Sequence, residues 1–271
     1  MALSMNHPAL CTDINTLAAF LSSEDVSAIT TSTPVDCLVL CASQLLIQAE
    51  SVFEALTANP SLTKTLILVG GKGHSTDLLY DAVARHPRYQ SVAEQVRGLP
   101  EARVLEVMLD TFFDRSRIES QGCKILVEDR STNCGANANE TRKVLQSSGM
   151  DGIGSFTVVQ DPTMLLRTLA SFRKTYSDTP SATFRGCPIF VPRMKVTEDQ
   201  LEYDIEGVEG WQLWEKRRFW ELLVGEVPRL RDDQGGYGPK GRGFIGHVDV
   251  PGEVEGAWER VERWLGGGRG M

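Results

Sequence analysis

Four short apolar runs, each followed by a segment with helical spacing, most strongly limit the folds open to this chain. The runs are residues 36–41, 66–69, 124–127 and 156–160, and residues 184–191 are a candidate fifth. Continuous apolar runs are typical of strands buried on both faces. Strands that alternate with helices form parallel βαβ units with right-handed crossovers. The sequence therefore predicts an α/β fold with a Rossmann-like parallel sheet flanked by helices.

The spacing of apolar residues divides the chain into three predicted parts. Residues 1–32 are an N-terminal helix (13–22) and a Ser/Thr-rich linker, and residues 33–194 are the Rossmann-like ligand-binding domain. Residues 195–271 are a smaller helical C-terminal domain. It consists of an acidic irregular segment (195–210), a helix (211–224), a Gly-rich loop (225–246), a helix (252–265) and a frayed tail (266–270).

Composition and charge exclude several classes of protein. The chain has 271 residues and a net charge of −8, which disfavours a nucleic-acid or anionic-membrane surface. It has no apolar stretch near the ~20 residues of a membrane span, and its first residues lack a secretory pattern, so we expect a cytoplasmic protein. Six cysteines without a Cys-x-x-Cys pair and four isolated histidines predict reduced, buried thiols and no metal site.

The loop after the second run has the composition of a ligand-binding turn. Gly71 and Gly73 would let the backbone approach a ligand, and Ser75 or Thr76 could cap the next helix while its free N–H groups face an anion. His74 is placed for acid–base work. The alternatives are a simple Gly-rich connection and a surface histidine.

The segment 128–142 follows the third run and is the richest polar stretch of the chain. Glu128 ends a strand, where a carboxylate is costly unless it has a partner or a role. Ser131, Thr132 and Asn133 compete to cap the next helix, and Asn137 lies one turn further on. Because parallel strands end at the same edge of the sheet, this segment is a predicted wall of a ligand cleft. The alternative is an ordinary helix cap with solvated acids.

Two further segments carry candidate site residues. Asp161 follows the fourth run as the predicted cap of a helix with Pro162 in its first turn, and Arg167 lies one turn into that helix. The loop 228–242 concentrates Arg, Asp, Tyr and Gly, and its arginines could bind phosphate or carboxylate. A solvated loop and a surface arginine are the alternatives.

Taken in order, these segments resemble the YdcF-like proteins of the YdcF/SanA-like family, a domain of unknown function. The resemblance implies a Rossmann-like sheet with a small helical C-terminal domain, and S-adenosyl-L-methionine as a cofactor. It also implies that Arg231, Tyr237 and Arg242 belong to the site. The matching stretches are residues 73–76, 79–80, 86–87, 128–129, 131–135, 137–138, 158–164, 167–168, 225–226, 228–233, 236–239, 241–242 and 247–249.

Three functions follow as hypotheses. The first is a protein that binds S-adenosyl-L-methionine or a related nucleotide at the strand ends. The second is a hydrolase or transferase acting on a phosphorylated substrate, with His74 or Glu128 as the acid–base group and arginines that stabilise developing charge. The third is a non-catalytic ligand sensor, for which Trp211, Trp214 and Trp220 would suit an interface, although tryptophans at helical spacing usually lie in a core.

Overall fold

The computed structural model of the chain describes residues 7–150 and 152–267. Its centre is a five-stranded parallel sheet with the strand order β3-β2-β1-β4-β5. The chain starts in the middle of the sheet, adds strands on one side and then returns to add strands on the other, so the order reverses between β1 and β4. The strands are β1 (Val35–Cys41), β2 (Thr63–Val69), β3 (Lys124–Glu128), β4 (Ser155–Val159) and β5 (Thr183–Cys187).

Helices cover both faces of this sheet, as the alternation of runs predicts. Short 3-10 turns occupy residues 29–31, 60–62, 90–92 and 210–212. The α-helices of the described residues are α1 (His7–Ser22), α2 (Leu46–Ala58), α3 (Thr76–Arg85), α4 (Ala93–Val96), α5 (Glu101–Phe112), α6 (Arg115–Ser120), α7 (Cys134–Ser147), α8 (Leu165–Thr175), α9 (Lys216–Leu230) and α10 (Gly252–Gly267).

The apolar runs are continuous because the strands are buried on both faces. Leu38 and Leu40 of β1 pack into one apolar core with Leu66 and Leu68 of β2. Their neighbours along the strands, Cys37, Val39, Ile67 and Val69 among them, pack into a second core on the opposite face. Alternate side chains thus enter different cores, and each strand needs apolar residues at every position.

The N-terminal helix belongs to a third core that it shares with the C-terminal helices. Ile14 and Leu17 of α1 pack with residues of α9 and α10. At the edge of this core Arg260 of α10 makes a two-pronged ion pair with Asp13 of α1, at 2.7 and 2.8 Å. The first and last helices of the described residues therefore pack together, and α9 packs beside α8 of the sheet domain.

The prediction that residues 195–210 are irregular is wrong for the first half of this segment. Residues 194–203 form an antiparallel hairpin of β6 (Met194–Thr197) and β7 (Gln200–Tyr203). Its two-residue turn is Glu198-Asp199, both with positive φ (49° and 61°). Such turns usually carry Asn-Gly or Asp-Gly, so this acidic pair gave no hairpin signal.

Two predicted helix starts lie too early in the chain. The helix expected from Pro162 begins at Leu165, because the chain first forms a turn at Asp161. In this turn the Asp161 carboxylate accepts a hydrogen bond from Thr163 N–H, and the Asp161 carbonyl oxygen accepts one from Met164 N–H. The helix expected from Trp211 begins at Lys216, where the Glu215 side chain caps it by accepting from Arg218 N–H at 3.1 Å.

The Gly-rich loop also starts later than predicted, because α9 continues through Pro228 to Leu230. Proline has no N–H to donate to the carbonyl four residues earlier, which is that of Val224. The indole Nε1–H of Trp258 from α10 donates to this carbonyl at 2.9 Å. A tertiary hydrogen bond thus satisfies the acceptor that Pro228 leaves open.

Other boundaries differ from prediction by a few residues. Helix α1 starts at His7 rather than 13, and β5 ends at Cys187 rather than 191, since Pro188 has no N–H for the ladder. All six cysteines are free and buried. The start of the chain and residues 268–270 of the predicted frayed tail lie outside the described residues. None of the described helices is both long and apolar enough to cross a bilayer.

Gly186 of β5 offers a test of how tightly the sheet packs. A Cβ at this position would lie 2.5 Å from the carbonyl oxygen of Ser23 and 2.9 Å from Leu169. We expect Gly186→Ala to destabilise the fold by about 1–3 kcal/mol in urea unfolding, because backbone must move to make room. Gly210→Ala is the matched control, since nothing lies within 4 Å of its Cβ. Equal unfolding midpoints for the two variants would contradict this packing.

Candidate functional site

The carboxyl ends of the strands bring the predicted polar segments together at one edge of the sheet. The loops after β2 and β3 are neighbours because these strands pair, with Val69 opposite Glu128. The loops after β1 and β4 flank the point where the strand order reverses. In open α/β sheets this is where ligands bind.

The loops after β2 and β3 pack directly on each other. Gly71 N–H donates to Ser131 Oγ at 3.2 Å, and a Cβ on Gly71 would lie 2.1 Å from the Ser131 carbonyl oxygen. A Cβ on Gly73 would lie 3.3 Å from the carbonyl oxygen of Thr132. The missing side chain of Gly71 thus permits close contact between the loops after β2 and β3. Gly71 is not among the residues that line the cleft described below.

Glu128 is 1% exposed and organises its own loop. Its Oε1 accepts from the N–H groups of Arg130 (2.7 Å) and Ser131 (2.8 Å), and its Oε2 accepts from Ser131 Oγ at 2.6 Å. These bonds compensate a buried carboxylate, which would otherwise be costly. The geometry supports a role for Glu128 in shaping the loop after β3; its predicted catalytic role stays a prediction.

Asp161 is the second buried carboxylate of this edge, at 2% exposed. Its Oδ1 accepts from the N–H and hydroxyl of Thr163, and its Oδ2 accepts from Ser43 Oγ (3.2 Å) and Trp214 Nε1 (3.0 Å). Burial raises the pKa of Asp161, and these hydrogen bonds offset part of that effect. One carboxylate thereby fastens the loops after β1 and β4 to the C-terminal part of the chain.

A small pocket of about 40 Å³ lies between Asp161 and Glu101. Thr76 Oγ1 donates to Glu101 Oε1 at 2.8 Å and accepts from Gly73 N–H at 2.8 Å, which ties the start of α3 to α5. Burial raises the pKa of Glu101, and the bond from Thr76 opposes this. Glu101 was not predicted from the sequence, because it opens a distant helix and only the fold places it beside Gly70 and Gly71 in the loop after β2.

A cleft of about 850 Å³, hereafter called the cleft, opens at this edge of the sheet. Its walls are the starts of α3 and α7, one side of α8, one side of α9 and part of the Gly-rich loop. The lining residues are His74, Ser75, Asn133, Gly135, Ala136, Asn139, Met164, Arg167, Ser171, Lys174, Thr175, Arg218, Glu221, Leu222, Gly225, Glu226, Arg229, Tyr237, Gly243, Phe244 and Ile245.

Two helices present their N-termini to the cleft. His74 and Ser75 lie at the start of α3, and both are exposed. Asn133 caps α7 by accepting from Ala136 N–H at 3.0 Å. The N-terminal N–H groups and helix dipole favour an anion at such a position.

A cluster of three charged side chains forms one wall of the cleft. Glu226 of α9, 3% exposed, accepts from Arg167 Nε (2.5 Å), Arg167 Nη2 (3.0 Å) and Arg229 Nη1 (2.8 Å). Arg167 of α8 is itself only 12% exposed. The cluster joins α8 to α9 and carries a net charge of +1.

The Gly-rich loop places its three candidate residues differently. Tyr237 lines the cleft, and its ring packs edge-on against Phe244 with centroids 5.2 Å apart. Arg242 is exposed and its guanidinium lies 5.5 Å from the Tyr237 ring. Arg231 turns to the C-terminal helix instead, where it pairs with Glu255 at 2.6 and 3.0 Å and covers the Trp258 ring.

The fold thus brings together only some of the predicted site residues. Thr132 is exposed beside Asn133, and Asn137 is buried within α7. Those that line the cleft are His74, Ser75, Asn133, Arg167 and Tyr237. Those that do not are Gly71, Gly73, Glu128, Thr132, Asn137, Asp161, Arg231 and Arg242.

The cations Lys174 and Arg218 and the exposed residue Phe244 also line the cleft but were not predicted from the sequence. Single arginines on amphipathic helices carry no local signal, since most are solvated surface charges. For the chain as a whole, a scan against models of known protein families finds no match.

Glu226 provides a test of the charged wall. We expect Glu226→Gln to destabilise the fold by about 3–5 kcal/mol in urea unfolding, because it leaves the half-buried pair of guanidinium groups without their carboxylate. Glu221→Gln on the same helix is the control: Glu221 pairs with Arg217 on the surface, and we expect less than about 1 kcal/mol. Similar losses in the two variants would contradict the role assigned to the cluster.

Proposed function

We propose that this chain binds S-adenosyl-L-methionine or a related nucleotide in the cleft. The observation that carries the proposal is the position of the cleft: about 850 Å³ at the carboxyl edge of a Rossmann-like sheet, bordered by the starts of α3 and α7. This volume lies within the usual range of small-molecule sites, about 300–1,000 Å³. The fold alone is compatible with many ligands, and S-adenosyl-L-methionine enters through the resemblance to the YdcF-like proteins.

The anionic, hydroxyl and base parts of such a ligand have chemical partners in the cleft. An anionic group, either the carboxylate of S-adenosyl-L-methionine or a phosphate, suits the N–H groups at the starts of α3 and α7. The side chains of Ser75 and Asn133 lie at these starts and offer hydrogen bonds to hydroxyl groups. The rings of Tyr237 and Phe244 offer apolar surface to a base.

A bulky side chain at Ser75 tests this proposal. Ser75 makes no capping hydrogen bond and lines both the cleft and the small pocket beside Asp161, so Ser75→Trp should fill the site at little cost to stability. We expect calorimetry to detect binding of at least one among S-adenosyl-L-methionine, S-adenosylhomocysteine, ADP and ATP, and we expect Ser75→Trp to abolish it.

The control for this experiment is Ser147→Trp, at the far end of α7, where Ser147 is exposed. This variant should bind like the wild type. Absence of heat from every compound, or undiminished binding by Ser75→Trp, would refute the proposed function.

A second candidate function is hydrolysis or transfer of a phosphoryl group, and the position of His74 favours it. His74 lines the cleft together with Arg167, Arg218 and Arg229, so an acid–base group and cations that stabilise developing charge share one site. This function needs turnover, whereas ligand binding does not.

Turnover of p-nitrophenyl phosphate or ATP decides between the two functions. If the site is catalytic, His74→Ala should lower kcat by about 10²–10⁴-fold, the usual contribution of general acid–base catalysis. His7→Ala is the control, since His7 on α1 pairs with Asp199 of the hairpin turn. Equal rates for His74→Ala and the wild type would exclude His74 as the acid–base group.

A further inference from the structure

The charge of the cleft is opposite to that of the chain. The chain carries a net charge of −8, yet four cations and only two carboxylates line the cleft. Both carboxylates already have partners: Glu226 accepts from Arg167 and Arg229, and Glu221 pairs with Arg217. The positive charge of the cleft is therefore in excess.

Arg218 is the clearest source of this excess. It is exposed on the first turn of α9 and lines both the cleft and the small pocket beside Asp161. Its backbone N–H is capped by Glu215, but its guanidinium has no hydrogen bond or ion pair with the rest of residues 7–150 and 152–267. A planar guanidinium without a partner in a cleft is suited to two-pronged binding of a phosphate.

Lys174 adds a second cation. It donates to the carbonyl oxygen of Gly243, a neutral group, so its charge is not cancelled by this contact. The same contact holds the Gly-rich loop beside α8, with Phe244 next to it. The cleft thus combines uncompensated cations with an aromatic residue, Phe244, which is 54% exposed.

An exposed phenylalanine ring beside cations indicates a ligand with both a flat apolar part and anionic groups. Phe244 packs edge-on against Tyr237, which leaves a ring face for a base. S-adenosyl-L-methionine has the base but no phosphate, and its sulfonium and ammonium groups give it a net positive charge at neutral pH. A positive cleft repels such a ligand and attracts a phosphorylated one.

We infer that the ligand is a nucleoside phosphate, with its phosphates on Arg218 and neighbouring cations and its base on Phe244. This inference rests on the proposed function and narrows it to phosphorylated nucleotides. It assigns phosphate recognition to Arg218 and base recognition to Phe244.

The test measures calorimetric binding of ADP, adenosine, ribose 5-phosphate and S-adenosyl-L-methionine to the full chain. We expect ADP to bind most tightly and S-adenosyl-L-methionine least. Arg218→Ala should weaken the binding of ADP and of ribose 5-phosphate by about tenfold to a hundredfold, the usual range for a charge-assisted hydrogen bond. The same variant should leave the affinity for adenosine unchanged. Phe244→Ala should weaken the binding of ADP and of adenosine about tenfold and leave the affinity for ribose 5-phosphate unchanged.

Arg263→Ala is the matched control, because Arg263 is exposed on α10 and is not among the lining residues. S-adenosyl-L-methionine binding more tightly than ADP would overturn this inference while the proposed function stands. The same holds if Arg218→Ala leaves ADP binding unchanged. If none of these four compounds binds, this inference fails, and if ATP and S-adenosylhomocysteine also give no heat, the proposed function fails as well.

Discussion

The carboxylate of Asp161 is the interaction on which the arrangement at the sheet edge depends. It accepts four hydrogen bonds, from Thr163 in its own turn, from Ser43 after β1 and from Trp214 before α9. Taking a carboxylate out of water is costly, so all four donors must be in place together. The loops at the point where the strand order reverses and the C-terminal part of the chain are therefore fixed by one group.

The C-terminal part matters because it supplies much of the cleft. Helix α9 presents Arg218, Glu226 and Arg229, and the ion cluster with Arg167 holds this helix against α8. Without α9 and the Gly-rich loop, the starts of α3 and α7 would face open solvent. The sheet provides helix N-termini, and the C-terminal part adds cations and aromatic rings.

The polar segments that the sequence predicts at the strand ends do lie at one edge of the sheet, but only some of the predicted site residues line the cleft. Gly71 and Glu128 have the residue types of a binding loop, and both are used within the protein, Gly71 for loop contact and Glu128 for three hydrogen bonds. Buried carboxylates and tight glycines have the same sequence pattern in either role. Arg218, by contrast, lines the cleft although nothing adjacent to it in sequence distinguishes it from a surface arginine.

The sequence by itself determined the parallel α/β architecture, because continuous apolar runs alternating with amphipathic helices fit only strands covered on both faces. It also determined that polar strand ends meet at one edge. Tertiary structure alone decided which side chains line the cleft and how far α9 extends, because both depend on contacts between residues far apart in the chain. Trp258 allows α9 to continue through Pro228, and Glu226 brings Arg167 and Arg229 together. Such pairings cannot be recognised in the sequence, since each partner alone looks like an ordinary residue of an amphipathic helix.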